Sequence, residues 1–185
     1  MNEDRKLTYA GAKLIQHFEG CLKPHEGKFK AYKCPANVLT IGWGHTNHHG
    51  RQFDAATQWT GEECHQVFIE DMAGFERAVR RLVTVPLTDH QYDALVSFTY
   101  NVGEGNLKKS TLLKRVNAKE FEAAAKEFVK WNKANGKVLA GLTRRRQSES
   151  LLFQGIKDAN YDGKADPQQP PHPMPQAVDE PEDGS

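Results

Sequence analysis

Residues 39–46 read Leu-Thr-Ile-Gly-Trp-Gly-His-Thr, in which a β-branched pair runs directly into two closely spaced glycines. β-Branched residues favour a strand, and glycines let the chain turn sharply and let another group approach the backbone closely. Upstream, Glu19 ends a segment whose apolar residues recur at helical spacing, namely Leu14, Ile15 and Phe18. The sequence therefore predicts a short strand and a tight turn, together with an amphipathic helix that ends in an acid.

Glu19 is the first candidate catalytic residue. An acid at the end of an apolar helical face is partly removed from water, which favours its protonated form near neutral pH. A positioned, protonated carboxyl group is what a general acid needs. Taken alone, however, a glutamate at a helix end is usually a solvated terminus, so its role depends on the rest of the chain.

Two further motifs follow in the second half of the chain. Residues 91–103 read Gln-Tyr-Asp-Ala-Leu-Val-Ser-Phe-Thr-Tyr-Asn-Val-Gly. Residues 131–149 read Trp-Asn-Lys-Ala-Asn-Gly-Lys-Val-Leu-Ala-Gly-Leu-Thr-Arg-Arg-Arg-Gln-Ser-Glu. Together with Glu19 and the turn at 39–46, these motifs resemble the phage-type muramidases, the T4-lysozyme-like glycoside hydrolase family 24 of endolysins. The resemblance covers roughly residues 8–155, in order.

The resemblance implies an α+β, mostly helical fold with two lobes. A small β-hairpin lobe would be joined by a long connecting helix to a helical C-terminal lobe. Local patterns agree, because capping boxes at Thr60 and Thr88 predict the starts of the connecting helix and of the next helix. The other expected elements are a helix at 8–19, strands at 29–32 and 39–43, and helices at about 107–116, at 118–132 begun by Asn117, and at 142–155.

The resemblance also implies a catalytic set made of a glutamate, an aspartate or cysteine, and a threonine. Glu19 matches the first position, Cys34 the second, and Thr40, after five intervening residues, the third. Fourteen residues separate Glu19 from Cys34, more than is usual in the family. We expect the additional residues in the turn-rich stretch 23–28, as a longer loop beside the cleft.

The second catalytic position has three interpretations. An unperturbed thiol has a pKa of about 8.5 and is a poor base at neutral pH, so Cys34 would need surroundings that favour the thiolate. Glu26, the one other carboxylate between Glu19 and Thr40, is the alternative. In the third interpretation Glu19 works without a second acid. In each case the Thr40 hydroxyl would hold the attacking water or the thiol.

Residues of the turn and of the 91–103 motif are candidates for substrate binding. Tyr100 and Asn101 match the pair that lines the family's cleft, where a tyrosine offers an apolar face to a sugar ring and an asparagine a hydrogen bond to a sugar acetamide. The alternative is a core aromatic residue beside a helix C-cap. Gly42 would let the substrate approach the backbone.

The arginine run at 144–146 has two interpretations. A charge run usually lies on a solvated face. The resemblance instead implies that one of the side chains faces the cleft near Glu19, with Arg144 and Arg145 as the candidates.

His45 is expected to serve the fold rather than the reaction. By the resemblance, it pairs with Asp71 on the connecting helix as a structural ion pair that supports the turn. Other histidines lie close to it, but no flanking Cys/His pattern indicates zinc, so neither a metal nor a cofactor is expected. The three cysteines have no metal-ligand spacing, and a disulfide is not expected in a protein made in a reducing compartment.

Composition predicts one domain followed by a tail. Of the 185 residues, 38% are hydrophobic and 26% are charged, which is ordinary for a globular protein. We expect a muramidase domain over 1–157 and an acidic, proline-rich, disordered tail over 158–185. Residues 158–166 follow the first positions of a calcium-binding loop, but Gln169 replaces the final glutamate. A turn rich in Asn, Asp and Gly is therefore the main interpretation.

Charge is divided unevenly along the chain. From residue 159 onward six acids face one lysine, a net charge of −5, which leaves +6 on the remainder of a chain whose total is +1. A basic body suits an anionic wall polymer, whereas the sequence lacks the motifs of nucleic-acid-binding modules. No apolar stretch approaches the length of a membrane span, and the N-terminus lacks an apolar signal core or anchor.

The function that the resemblance implies is hydrolysis of the β-1,4 bond between N-acetylmuramic acid and N-acetylglucosamine in bacterial peptidoglycan, for host cell lysis. Such an enzyme, expected as a monomer, would stay in the host cytoplasm until a holin opened the membrane, and would then act on the wall in the periplasm. Two alternatives stay open. One is a lytic transglycosylase, which needs no second carboxylate, and the other is a catalytically silent peptidoglycan-binding domain.

Overall fold

Helices dominate the computed structural model, which describes residues 2–20, 26–34, 37–48 and 50–166. The helices are α1 (Tyr9–Glu19), α2 (Gly61–Leu82), α3 (Asp89–Val102), α4 (Glu104–Lys109), α5 (Thr111–Asn117), α6 (Phe121–Glu127) and α7 (Ala140–Phe153). The strands are β1 (Lys28–Lys30), β2 (Tyr32–Lys33), β3 (Leu39–Ile41), β4 (His45–Thr46), β5 (Gln58–Thr60), β6 (Lys133–Ala134) and β7 (Lys137–Val138). The predicted α+β, mostly helical class is confirmed.

Helix α1 is fixed at both ends, which sets the position of Glu19. Thr8 caps its start by accepting a hydrogen bond from the Gly11 amide, and the Thr8 amide donates to the Asp93 carboxylate of α3 over 2.9 Å. A Cβ at Gly11 would lie 2.6 Å from Asp93, so α1 and α3 cross in close contact there. The helix ends at Gly20, whose φ of 60° favours glycine.

The small lobe contains two antiparallel sheets, β1–β5 and β2–β3–β4. The second contains the Ile41–Thr46 turn, with Thr40 paired to Tyr32 on one side and to Thr46 on the other. A satellite core holds the sheets against α2, and its buried members are Ile41, Phe53, Trp59, Cys64 and Val67. The lobe is therefore anchored to the connecting helix.

Helix α3 is the centre of the helical lobe, because residues 91–99 are all buried. Helices that are buried on every side occur in the middle of a core. Helices α1, α2, α4 and α7 pack against α3. Burial stops at the C-terminal end of α3, where Tyr100 and Asn101 reach the surface that faces the small lobe.

The capping boxes predicted at Thr60 and Thr88 are confirmed, since both halves of each box are formed. The helix predicted at 107–116 is divided, because Ser110 ends α4 and caps α5 by accepting from the Leu113 amide over 3.0 Å. The predicted start at Asn117 is wrong. Its side chain instead donates to Leu82 and accepts from the Thr84 amide, and therefore caps the end of α2.

Residues 158–166 pack on the body instead of leaving it. The Asp158 carboxylate accepts hydrogen bonds from Ser148 (2.6 Å) and from the amides of Asp162 (3.1 Å) and Gly163 (3.0 Å). The folded part therefore continues past the predicted boundary at 157. These hydrogen bonds to Asp158 hold the segment in a turn against the body. Among the described residues, no cluster of three or more His, Cys, Asp or Glu side chains is suited to a metal.

Several predictions concern residues outside the described ranges. They include the tail from 167 onward, Cys21, and residues 23–25 of the loop at 23–28. Within the ranges that are described, none of the helices combines the length and the apolar character needed to cross a membrane.

Tyr161 ties the C-terminal segment to α1 close to Glu19. Its ring centroid lies 4.7 Å from that of His17 and 6.5 Å from that of Phe18. The Tyr161→Ala substitution removes this packing and should lower the free energy of unfolding by about 1–2 kcal/mol, which corresponds to about 2–8 °C in Tm. Calorimetry of the purified wild-type and Tyr161→Ala proteins measures this change in Tm.

Tyr9, 78% exposed, provides the control for Tyr161. Tyr9→Ala should change the free energy of unfolding by less than about 0.5 kcal/mol. Equal Tm values for the two variants would contradict the packing role of Tyr161.

Candidate active site

Glu19 lines a cleft of about 770 Å³ between the small lobe and the helical lobe. The small lobe contributes Gly44, His45, Thr46 and Gly50; α2 contributes Glu70, Asp71, Gly74, Phe75 and Arg77; and α3 contributes Tyr100 and Asn101. The acid thus stands at the end of α1 where three separate segments of the chain meet.

Arg145 holds the Glu19 carboxyl group. Its Nη1 lies 2.5 Å from Glu19 Oε1, and the side chains are 4% and 20% exposed, respectively. Arg145 also contacts Glu149 through Nε at 3.2 Å. Burial by itself lowers the pKa of Arg145, but the charges of Glu149 and Glu19 outweigh it and raise that pKa overall. The sequence-based expectation of an isolated, desolvated acid did not include this ion pair.

Gly44 is where the backbone of the turn comes closest to the acid. A Cβ placed there would lie 3.3 Å from Glu19 Oε2 and 2.8 Å from the Tyr100 hydroxyl oxygen, and the φ of 87° also favours glycine. With Oε1 bound to Arg145, Oε2 is the oxygen beside the turn. At Gly42, the predicted glycine, an added Cβ would instead lie 3.3 Å from Cys64 Sγ of α2.

Tyr100 connects the two lobes. Its hydroxyl donates to the Trp43 carbonyl over 3.0 Å, and its ring packs edge-on against Phe75 with 5.0 Å between centroids. Burial, together with the negative charges of Glu19 and Asp71, raises the pKa of Tyr100, so the hydroxyl keeps its proton. The Tyr100 hydroxyl therefore holds the turn through Trp43, and the residue also lines the cleft.

Thr40 lies in β3 and Cys34 directly follows β2, and neither is among the cleft-lining residues of the described part of the chain. Opposed residues of an antiparallel pair, and residues two apart along a strand, share a face. Thr40 is opposite Thr46, which lines the cleft, and Cys34 follows Tyr32, which is also opposite Thr40. By this alternation Thr40 shares a face with Thr46, and Cys34 continues the row of Tyr32 one residue beyond the end of β2. Thr40 is buried, and its hydroxyl donates to the Val38 carbonyl over 3.0 Å.

His45 contacts two acceptors. Nδ1 lies 2.8 Å from Asp71 Oδ2, and Nε2 lies 2.7 Å from the Arg51 carbonyl oxygen. This arrangement joins the end of the turn to α2 and leaves neither nitrogen directed at Glu19.

The three arginines at 144–146 lie in three different environments. Arg144 is exposed, Arg145 binds Glu19, and Arg146 is fully buried with Nη2 at 3.0 Å from Asn101 Oδ1. The expectation of a solvated charge run is wrong for the last two. A signal for their burial was present, because Glu149 lies four and three residues beyond them on the same helical face.

The chain is similar to known proteins of one family. The model of the phage lysozyme family matches residues 16–149. The endolysin of Bacillus phage B103 is 42% identical over 149 residues, which are 80% of this chain but only 53% of that protein, so the chain spans about half its length. The endolysin of Acyrthosiphon pisum secondary endosymbiont phage 1 is 40% identical over 152 residues, 80% of this chain and 97% of that protein.

A solved structure shows the same fold. The muramidase domain of SpmX from Asticaccaulis excentricus superposes with a TM-score of 0.69 at 36% identity, covering 80% of this chain and 97% of that one. A small sheet lobe, a connecting helix and an acid at the cleft thus define a lysozyme-like protein. The chain belongs to the phage lysozyme family, as the sequence predicted.

The contact at Gly44 gives a test of the site geometry. Gly44→Ala places a methyl group against Glu19 and Tyr100 and strains a backbone conformation whose cost for other residues is about 1–3 kcal/mol. Activity on cell walls should fall about tenfold or more because the acid is displaced. Turbidity loss of isolated sacculi measures it.

Gly105 is the matched control for Gly44. A Cβ there meets no atom within 4 Å, and the residue is helical, so Gly105→Ala should keep full activity and equal or higher stability. A fully active Gly44→Ala protein would contradict the close approach.

Proposed function

We propose that this chain is an active muramidase, which hydrolyses the β-1,4 bond between N-acetylmuramic acid and N-acetylglucosamine in bacterial peptidoglycan and so lyses cells. Membership of the phage lysozyme family and the endolysin relatives support peptidoglycan lysis. The muramidase domain among the similar structures supports the choice of bond. The observation that carries the proposal is the Glu19 carboxyl group, held by Arg145 at the cleft.

Glu19 is the proposed general acid. Hydrolysis of a glycosidic bond requires a proton on the leaving oxygen. Arg145 binds Oε1, and Oε2 lies on the side of Gly44, so Oε2 would deliver the proton. The two fixed ends of α1 and the buried guanidinium would together set the direction of delivery.

Cys34 and Thr40 are the proposed second catalytic pair. The Thr40 hydroxyl already donates its hydrogen to Val38, so its oxygen can only accept, and it would accept a hydrogen from the attacking water. The Cys34 sulfur on the same face of the sheet would take the other proton or attack the sugar itself. Glu26, the carboxylate alternative, is exposed in the turn before β1.

A lytic transglycosylase is the second candidate function. One observation favours it, since Glu19 lines the cleft while Cys34 and Thr40 are not among its lining residues in the described part of the chain. A single acid that first donates and then removes a proton needs no second group, and the sugar's own hydroxyl then closes an anhydro ring. A silent binding domain is less favoured, because it would need no oriented acid.

The route to the substrate belongs to the same proposal. The enzyme would wait in the host cytoplasm as a monomer, pass a membrane opened by a holin, and reach the wall in the periplasm. The excess of positive charge on residues 1–158 would favour contact with the anionic wall.

Glu19→Gln tests the acid. The amide keeps the shape and loses the transferable proton, so the rate of turbidity loss on sacculi should fall about 10²–10⁴-fold. Glu122→Gln, an equally conservative change at an exposed residue of α6, should leave the rate unchanged. Retained activity in Glu19→Gln would remove Glu19 from the mechanism.

Cys34 variants and product analysis test the second group. A muramidase that uses Cys34 should be inactive as Cys34→Ser and active as Cys34→Asp, and should leave reducing muramic ends in mass spectrometry. Anhydromuramic ends with an active Cys34→Ser protein would show the transglycosylase. Reducing ends with an active Cys34→Ser protein would show a hydrolase in which Glu26 or Glu19 alone suffices, and Glu26→Gln would then separate these two.

A further inference from the structure

A fully buried guanidinium lies behind the cleft-facing end of α3. Arg146 is 0% exposed, and its Nη2 is 3.0 Å from Asn101 Oδ1 and 3.1 Å from Glu149 Oε1. Asn101 itself is exposed and lines the cleft. The arginine therefore touches the solvent-facing asparagine from the protein side.

Stability alone gives a weak reason for this arrangement. Arg146 and Glu149 are both completely buried, with 3.0 Å between Nε and Oε2, and Nη1 has no hydrogen-bond acceptor among the described residues. Buried ion pairs are often no more stable than apolar residues of similar size, and an unfilled buried donor adds a cost. Burial also lowers the pKa of Arg146. The contact with Asn101 gives Arg146 a role other than stabilising the fold.

The chemistry of the two groups fixes the orientation of the amide. Arginine has five donors and no acceptor, so the atom of Asn101 that faces Nη2 must be the carbonyl oxygen. The amide nitrogen Nδ2 then points away from Arg146, and the residue that carries it lines the cleft. Without the arginine, the amide could turn over and present its oxygen there instead.

We propose that Arg146 is a positioning residue that holds the Asn101 amide with its N–H donors toward the substrate, so that the cleft selects an N-acetylated sugar at this subsite. The acetamide carbonyl oxygen is an acceptor and fits the donor. A de-N-acetylated sugar offers an ammonium group, which is itself a hydrogen-bond donor. The ammonium group and the Asn101 N–H would then face each other without an acceptor. The inference rests on the proposed function, because it names the substrate group that the same cleft binds.

Binding is measured in the Glu19→Gln background, so that it does not depend on cleavage. The affinity for sacculi is compared before and after chemical de-N-acetylation. With Asn101 intact, the N-acetylated wall should bind about tenfold or more tightly, the range expected for one hydrogen bond and one unsatisfied donor.

Asn101→Asp is the informative variant, since it keeps an oxygen for Arg146 and replaces the donor by an acceptor. It should reverse or abolish the preference for the N-acetylated wall. Asn160→Asp, the same change at an exposed residue outside the cleft lining, should leave the preference intact.

Arg146→Lys tests the positioning role itself. Lysine keeps the charge next to Glu149 but lacks the planar fork that reaches two acceptors at once, so the preference should shrink while Asn101 is unchanged. In the otherwise wild-type enzyme, KM for the N-acetylated wall should rise more than kcat falls. If Arg146→Lys does not fold, Asn101→Asp decides.

The outcomes separate the two proposals. A preference that is the same in the intact, Asn101→Asp and Arg146→Lys proteins, or the absence of any preference, overturns the role of Arg146. A wild-type protein that shows the preference but cuts neither wall overturns the muramidase and leaves the binding inference standing.

Discussion

The ion pair between Glu19 and Arg145 is the contact on which the site depends, because it joins α1 to α7 through two residues that are 126 positions apart in the chain. Glu19 is the last residue of α1, where a helix end would otherwise leave the acid without a fixed direction. Arg145 supplies that direction from α7, and its guanidinium lies 5.8 Å from the Phe18 ring and 6.0 Å from the Tyr100 ring. Arg145 binds Oε1 of the acid, and Oε2 lies beside Gly44 of the turn.

Glu149 is a buried carboxylate that contacts both Arg145 and Arg146. It pairs with Arg145 and Arg146 on its own helix, and the Ser97 hydroxyl of α3 donates to it over 2.7 Å. Removing one member of a buried charge network costs more than the pair gains, because a charge is left uncompensated. One buried carboxylate therefore positions the proposed acid through Arg145 and the proposed substrate ligand Asn101 through Arg146.

Local signals in the sequence predicted the elements that local interactions determine. The helix that ends at Glu19 and the capped starts at Thr60 and Thr88 need only neighbouring residues to form. Asn117 shows the limit, since a side chain suited to an N-cap caps the previous helix instead. The hairpin β6–β7 was missed although Asn135-Gly136, with φ values of 49° and 75°, is a pair that favours a two-residue turn.

The spacing of residues in the sequence does not determine which side chains reach the site. Neighbouring arginines on a helix point about 100° apart, so one faces solvent, one the acid and one the asparagine, and only the docking of α7 decides which. The two glycines of the turn differ in the same way, since Gly42 meets Cys64 and Gly44 meets Glu19. The family resemblance names the residue types needed for cleavage, whereas the register of the turn and the rotation of α7 determine which oxygen of Glu19 and which atom of Asn101 face the cleft. A chain with the same motifs but α7 rotated by one residue would place a different arginine on the acid, and its cleft would lose both orientations together.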